Sequence, residues 1–107
     1  MPREKFQTLT EQMYYVLLCL REERCGMDIM DWVSACTGGR VRIGAGTLYN
    51  LLEQFCDAGM IVLTRIEGRR RSYRLTSQGV EALQKEYERL CCQAADFRRV
   101  MGEEETQ

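Results

Sequence analysis

The chain has 107 residues, 45% hydrophobic and 29% charged, with a formal net charge of -1. That length supports one core and not a second compact unit, and a single Pro with no low-complexity run argues against long disorder. The longest apolar run, Met13 to Leu20, is less than half of the roughly 20 residues a membrane-spanning helix needs, and its charged flanks do not suit a signal peptide, so a cytoplasmic protein without membrane contact is expected.

Thr8-Leu9-Thr10-Glu11 fits a capping box and predicts a first helix from Leu9 to Arg24. Leu9, Met13, Val16, Leu17 and Leu20 form its core stripe. Tyr14, Tyr15, Leu18 and Cys19 fall off that stripe, so the helix has a second apolar face to bury. Met27 to Thr37 reads as a second helix with Ile29, Val33 and Cys36 inward, ended by Gly38-Gly39. A basic link through Arg40 and Arg42 leads to a third helix, Ala45 to Ala58. Its inward residues are Leu48, Leu51, Leu52 and Phe55, with Thr47, Asn50 and Gln54 outward. Met60 to Ile66 and Arg71 to Leu75 are strand-like, and Glu67-Gly68-Arg69-Arg70 between them is a turn. Thr76 is placed to cap a last helix that runs to Met101, followed by an acidic, flexible tail over 102–107.

The charge is unevenly distributed. Residues 40–74 hold Arg40, Arg42, Arg65, Arg69, Arg70, Arg71 and Arg74 against Glu53, Asp57 and Glu67, so a basic centre sits between acidic ends. The six Cys (19, 25, 36, 56, 91, 92) form no CxxC, and the chain has no His, so neither a zinc site nor any other metal or cofactor site is expected. The thiols read as small hydrophobes, with Cys91-Cys92 the pair to watch. Without His, a nucleophile motif or spaced carboxylates, an enzyme is not expected.

Three helices and a hairpin, in that order, predict a mostly α fold of the winged helix-turn-helix type, whose third helix enters the DNA major groove. Arginines at the wing tip would neutralise phosphates while short polar side chains on the helix read base edges. Arg40, Arg42, Thr47, Tyr49, Asn50, Gln54, Arg69, Arg70 and Arg71 are the candidates for contact with double-stranded DNA. Blander roles stand beside these: Tyr49 can pack on the hairpin, Thr47 can cap its helix, and three consecutive arginines can keep a sheet edge soluble.

Several segments resemble the PadR family of transcriptional regulators over roughly residues 9 to 80, in family order and spacing. They are Leu9-Thr10-Glu11 with Tyr14-Tyr15, Thr37-Gly38-Gly39-Arg40-Val41-Arg42, Gly46-Thr47-Leu48-Tyr49, Ala58-Gly59-Met60-Ile61, Arg70-Arg71-Ser72-Tyr73 and Leu75-Thr76-Ser77-Gln78-Gly79. The resemblance implies that Gly46-Thr47-Leu48-Tyr49 opens the recognition helix, with Thr47, Tyr49 and Asn50 toward DNA. The chain departs from the family at Ala45, where Pro often stands, and at Cys25-Gly26-Met27, where His-Gly-Tyr is frequent.

In the last helix Val80, Leu83, Tyr87, Leu90, Ala94, Phe97 and Met101 make a heptad seam. A helix of that length outreaches a domain of this size and must project. The seam, with Tyr14 and Leu18 on the first helix, therefore predicts a homodimer, and its twofold symmetry a near-palindromic operator. The units are thus residues 1–75 as a DNA-binding domain and 76–101 as a dimerisation helix within the same compact body. By resemblance, Tyr15, Trp32 and Phe97 are candidates to stack a small aromatic ligand between subunits. The function implied is a sequence-specific regulator, a repressor released by a small molecule or stress signal. The alternative is a winged-helix protein-interaction module, which would show exposed apolar residues where this chain has arginines.

Overall fold

A computed structural model describes residues 8–102; the acidic tail from 103 onward lies outside them. The elements run α1 (Glu11–Cys19), β1 (Arg24–Cys25), α2 (Gly26–Cys36), α3 (Ala45–Asp57), β2 (Ile61–Glu67), β3 (Arg70–Leu75) and α4 (Ser77–Val100). Their apolar stripes meet in one core in which Val16, Leu17, Ile29, Val33, Leu48 and Phe55 are fully buried.

Helix α1 is shorter than its spacing predicts at both ends. Its cap is Thr10 and not Thr8: Thr10 Oγ1 accepts from the Met13 N–H at 3.1 Å. Leu9 thus lies before the helix, yet it is buried. At the other end the helix stops at Cys19 where the sequence pattern runs on to Arg24. The last carbonyls find other partners: the Leu75 N–H, distant in sequence, bonds the Leu20 oxygen at 2.8 Å, and Arg24 Nε, five residues on, donates to the Cys19 oxygen at 3.1 Å. Arg24 and Cys25 then pair antiparallel with Tyr73 and Ser72 of β3, which makes a strand where the sequence reads as a helix end.

Two Gly residues close α2, with the Gly39 N–H on the Ser34 oxygen at 2.8 Å. Cys36, expected inward, is exposed because it is the last residue of that helix. In the link that follows, Val41 and Ile43 are buried while Arg40 and Arg42 are exposed, so alternation in an extended segment turns both arginines outward. Thr37 holds the link: its Oγ1 accepts the Val41 N–H at 3.0 Å and donates to the Val33 oxygen at 2.9 Å. Helix α3 ends at Gly59, whose φ of +77° allows the Met60 N–H to reach back to the Phe55 oxygen at 2.9 Å.

The sheet is antiparallel in the order β1-β3-β2. Strands β2 and β3 form the wing, joined by Gly68-Arg69, with Gly68 at φ +63° as the first centre of a tight hairpin turn requires. Arg70 therefore belongs to the strand, opposite Glu67. The register shifts between Leu63 and Arg65, where Thr64 is one residue too many for its partner strand. Thr64 Oγ1 bonds the Ser72 carbonyl at 3.2 Å and the Glu23 carboxylate, which keeps the extra residue in place.

Helix α4 is anchored at one end only. Thr76 caps it, accepting from the Gly79 N–H at 3.1 Å while donating to the Gly59 oxygen at 2.6 Å. Gly79 is buried so closely on the preceding turn that an added Cβ would overlap the Met60 carbonyl oxygen and crowd Leu75. One turn past Leu83, Glu86 is 3% exposed. Its carboxylate accepts from Arg89 at 2.5 and 3.0 Å and from the Leu9 N–H. These bonds hold its carboxyl below the usual carboxylate range, Arg89 being the chief cause, and they tie α4 to the segment entering α1. From Tyr87 to Met101 every residue is exposed, and the molecule measures 60 × 34 × 21 Å. No helix among the described residues is long and apolar enough to cross a membrane.

Candidate nucleic-acid interface

Burial of Leu48, Leu51, Leu52 and Phe55 fixes which way α3 faces. Thr47 and Asn50 are therefore exposed, and Gln54 half-buried, along one outer stripe. Tyr49 is 54% exposed on the same helix, yet one edge of its ring lies over Gly26, where a Cβ would stand 2.9 Å from the Tyr49 hydroxyl. The phenol is thus set by the start of α2 rather than packed away under the hairpin. Gly44 caps α3 without a side-chain bond, so Thr47 is not its N-cap.

The wing stands beside α3. Arg69, Arg70 and Arg71 are exposed, and none has an ion pair among the described residues; Arg71 does bond the Tyr73 hydroxyl. Unpaired guanidiniums on a hairpin tip are free to meet phosphate oxygens, with no internal salt bridge to break first. On the outer face of the wing Arg65 is occupied by Glu23 and Glu67, each at 3.3 Å.

The two arginines of the link differ. The Arg42 guanidinium makes one bond, of 3.3 Å from Nε to the Gly39 oxygen, while its carbonyl accepts from Gln12 Nε2 at 3.2 Å, and its charge is unpaired among the described residues. Arg40 is paired with Glu11, bonds the Tyr15 hydroxyl at 3.2 Å and lies 5.9 Å from that ring's centre. Its charge is already used within the chain.

Between α3, the start of α2 and the wing lies an open cleft of about 770 Å³, lined by Met27, Tyr49, Leu52, Leu63 and Tyr73, by the three wing arginines, and by Glu53 and Asp57. Sequence reasoning missed the two carboxylates as site residues. The signal was present: Tyr49, Glu53 and Asp57 follow one another at i, i+4 and share a helix face.

The expected ligand-stacking residues are not assembled within one chain. Trp32 sits under the Arg24 guanidinium at 5.7 Å, Tyr15 meets Arg40 and the edge of Tyr14, and Phe97 is 66% exposed on the free half of α4. Of the expected dimer residues, Tyr14, Leu18, Leu83 and Tyr87 line a groove of about 400 Å³ between α1 and α4, and Leu83 also packs on the core. Leu90, Ala94, Phe97 and Met101 extend that apolar line outward. Burial raises the Cys19 thiol to about 12, and burial followed by Asp57 raises that of Cys56, so both stay protonated at neutral pH.

The model of the transcriptional regulator PadR-like family matches residues 16–85, from the second half of α1 into the first turns of α4. The chain belongs to the PadR-like family. By family it is a transcriptional regulator. Among solved structures it is similar to a transcriptional regulator from Clostridium thermocellum, at 19% identity over 88% of this chain and 99% of that one, with a TM-score of 0.74. It is similar to a PadR family regulator from Eggerthella lenta, at 23% identity over 82% and 75%, with a TM-score of 0.68. It also resembles Bacillus subtilis PadR in complex with operator DNA, at 27% identity over 67% of this chain and 44% of that one, with a TM-score of 0.59. No curated protein sequence matches it. The winged-helix fold read from element order is therefore the fold of this PadR-like regulator and of its structural neighbours.

Proposed function

We propose that this regulator is a repressor that binds a near-palindromic operator as a homodimer. Helix α3 enters the major groove and presents Thr47, Tyr49, Asn50 and Gln54 to base edges, and Arg42, Arg69, Arg70 and Arg71 take the flanking phosphates. The observation that carries this reading is the row of unpaired wing arginines beside the exposed polar stripe of α3. The projecting half of α4 supports the dimer, since an apolar seam in water calls for a partner. A twofold axis through that seam would set two α3 helices on half-sites about 34 Å apart. Arg40 is not part of the proposed contact set, because its ion pair with Glu11 would have to break first.

The test is a mobility shift with DNA from upstream of the chain's own coding region, repeated over a range of salt. Replacing Arg69, Arg70 and Arg71 with Ala should weaken binding to every sequence and flatten the slope of log affinity against log salt by up to about 0.9 per lost phosphate contact. A slope that does not change removes the wing from the interface.

A further inference from the structure

The cleft between recognition helix and wing is divided by charge. Glu53 and Asp57 stand on the α3 wall, Arg69, Arg70 and Arg71 on the wing wall, and Tyr49, Leu52 and Leu63 lie among them. Opposite charges so placed would be expected to pair. Among the described residues, however, neither carboxylate has an ion pair, and the arginines have none either. The two walls are held apart by the fold: Leu52 and Phe55 fix α3 in the core, and the bonds of β3 to β1 and to β2 fix the wing. Apolar side chains are also exposed here, with Met27 64% and Leu63 38% accessible.

A DNA strand satisfies only half of this arrangement. Its phosphates suit the arginines, but they bring further negative charge toward Glu53 and Asp57, and like charges set against one another cost binding energy. A molecule with an anionic end, a cationic end and an apolar middle satisfies both walls. We propose that this cleft is a binding site for a small amphipathic zwitterion, its carboxylate on the wing arginines, its ammonium on Glu53 and Asp57, and its apolar stretch over Tyr49, Leu52 and Leu63. A ligand seated there engages the guanidiniums that phosphate would need and lies against Tyr49 of α3, so occupancy and DNA binding exclude each other. That exclusion rests on the function proposed above; the binding of the ligand does not.

The probes are ω-aminohexanoate, ω-aminooctanoate and ω-aminodecanoate, each compared with the fatty acid and the alkylamine of the same length. Binding is followed in the full chain by shifts of backbone amide resonances. For the length that spans the walls, the zwitterion should bind about tenfold more tightly than either singly charged relative, and the shifts should map to α3 and the wing. Glu53→Gln with Asp57→Asn should reduce it to the affinity of the plain acid, and Arg70→Gln with Arg71→Gln to that of the plain amine. Thermal unfolding should be unchanged in both; if either double variant unfolds, the single changes Glu53→Gln and Arg71→Gln should each remove part of the preference. A zwitterion that binds no better than its relatives at every length, or a preference that survives both double variants, overturns the site. A labelled operator fragment is then titrated with the best probe. Release of DNA in step with occupancy supports the exclusion, and a ternary complex overturns it. A chain that binds the probe but no DNA would sink the proposed function and leave the site standing.

Discussion

The tip of the wing, Glu67 to Arg71, and the outer half of α4 both reach away from the core and both are exposed, yet they expose opposite chemistry. The wing tip carries three guanidiniums without an ionic partner, whereas α4 beyond Glu86 exposes Tyr87, Leu90, Phe97 and Met101, each at least 37% accessible. Water solvates the first cheaply and the second badly. Exposure alone therefore says little; what a projecting element does is set by whether its surface is content in water. In the proposed function the wing can remain open until phosphate arrives, while the apolar line of α4 would be covered by the second subunit.

The strongest way to break this contrast is to make the two projections alike. Leu90→Glu with Phe97→Glu puts charge on the seam, and sedimentation should then show a monomer, with self-association weakened by at least about a hundredfold, roughly 3 kcal/mol. Affinity for a single half-site should survive, and a dimer that persists would take α4 out of the interface. Next in size is Gly79→Ala, which forces a methyl group against the Met60 carbonyl. Loss of about 2 to 3 kcal/mol in chemical denaturation is expected, because backbone must move to make room; a stability unchanged within error would mean that the start of α4 is not rigidly seated.

Two smaller effects sharpen the comparison. Gly26→Ala meets the Tyr49 ring and not backbone, so it should displace a side chain that is free on its outer side. DNA affinity should fall by about 1 kcal/mol with little change in unfolding temperature, and equal losses in both would make Tyr49 a structural residue. Glu86 reports on the anchored part of α4. Its carboxyl titrates below the ordinary carboxylate value in the folded chain, so its contribution is present above about pH 4.3 and is lost as pH falls through the lower folded value. Glu86→Gln should cost about 1 kcal/mol at neutral pH and reduce the loss of stability on acidification; the same acid slope in both proteins would mean the carboxylate is not held by Arg89 and the Leu9 N–H.

Features that depend on neighbours along the chain were legible in advance. The cap at Thr76, the helix ends at Gly39 and Gly59, and the turn through Gly68 each follow from one or two residues with a strong local preference. Features that depend on distant partners were not. Nothing in Leu20 to Arg24 announces that Leu75 and Tyr73 will draw that segment out of the helix, and a two-residue strand has no pattern to read. Thr8 and Thr10 both suit a cap, and the bond from the Met13 N–H to Thr10 and the burial of Leu9 outside the helix separate them. Glu86 reads as one more surface acid on a polar helix until the Leu9 N–H is found above it. In the candidate interface, Thr47 and Asn50 followed from the helical period, whereas the difference between Arg40 and Arg42 was set by Glu11, 29 residues away from Arg40.

The bulge at Thr64 absorbs one extra residue without changing the cross-strand partners of those that follow. Because strand faces alternate, Leu63 and Ile66 keep the same cross-strand company, opposite Tyr73 and Arg71, and Arg65 lies on the other side with Ser72. Removing Thr64 would leave Arg65 opposite Ser72 and Ile66 opposite Arg71, whereas a residue lost or added between Arg65 and Glu67 has no bulge to absorb it and would exchange those faces. The wing should thus accept many single replacements during divergence, and the loss of Thr64 itself, while resisting a change of length between Arg65 and Glu67.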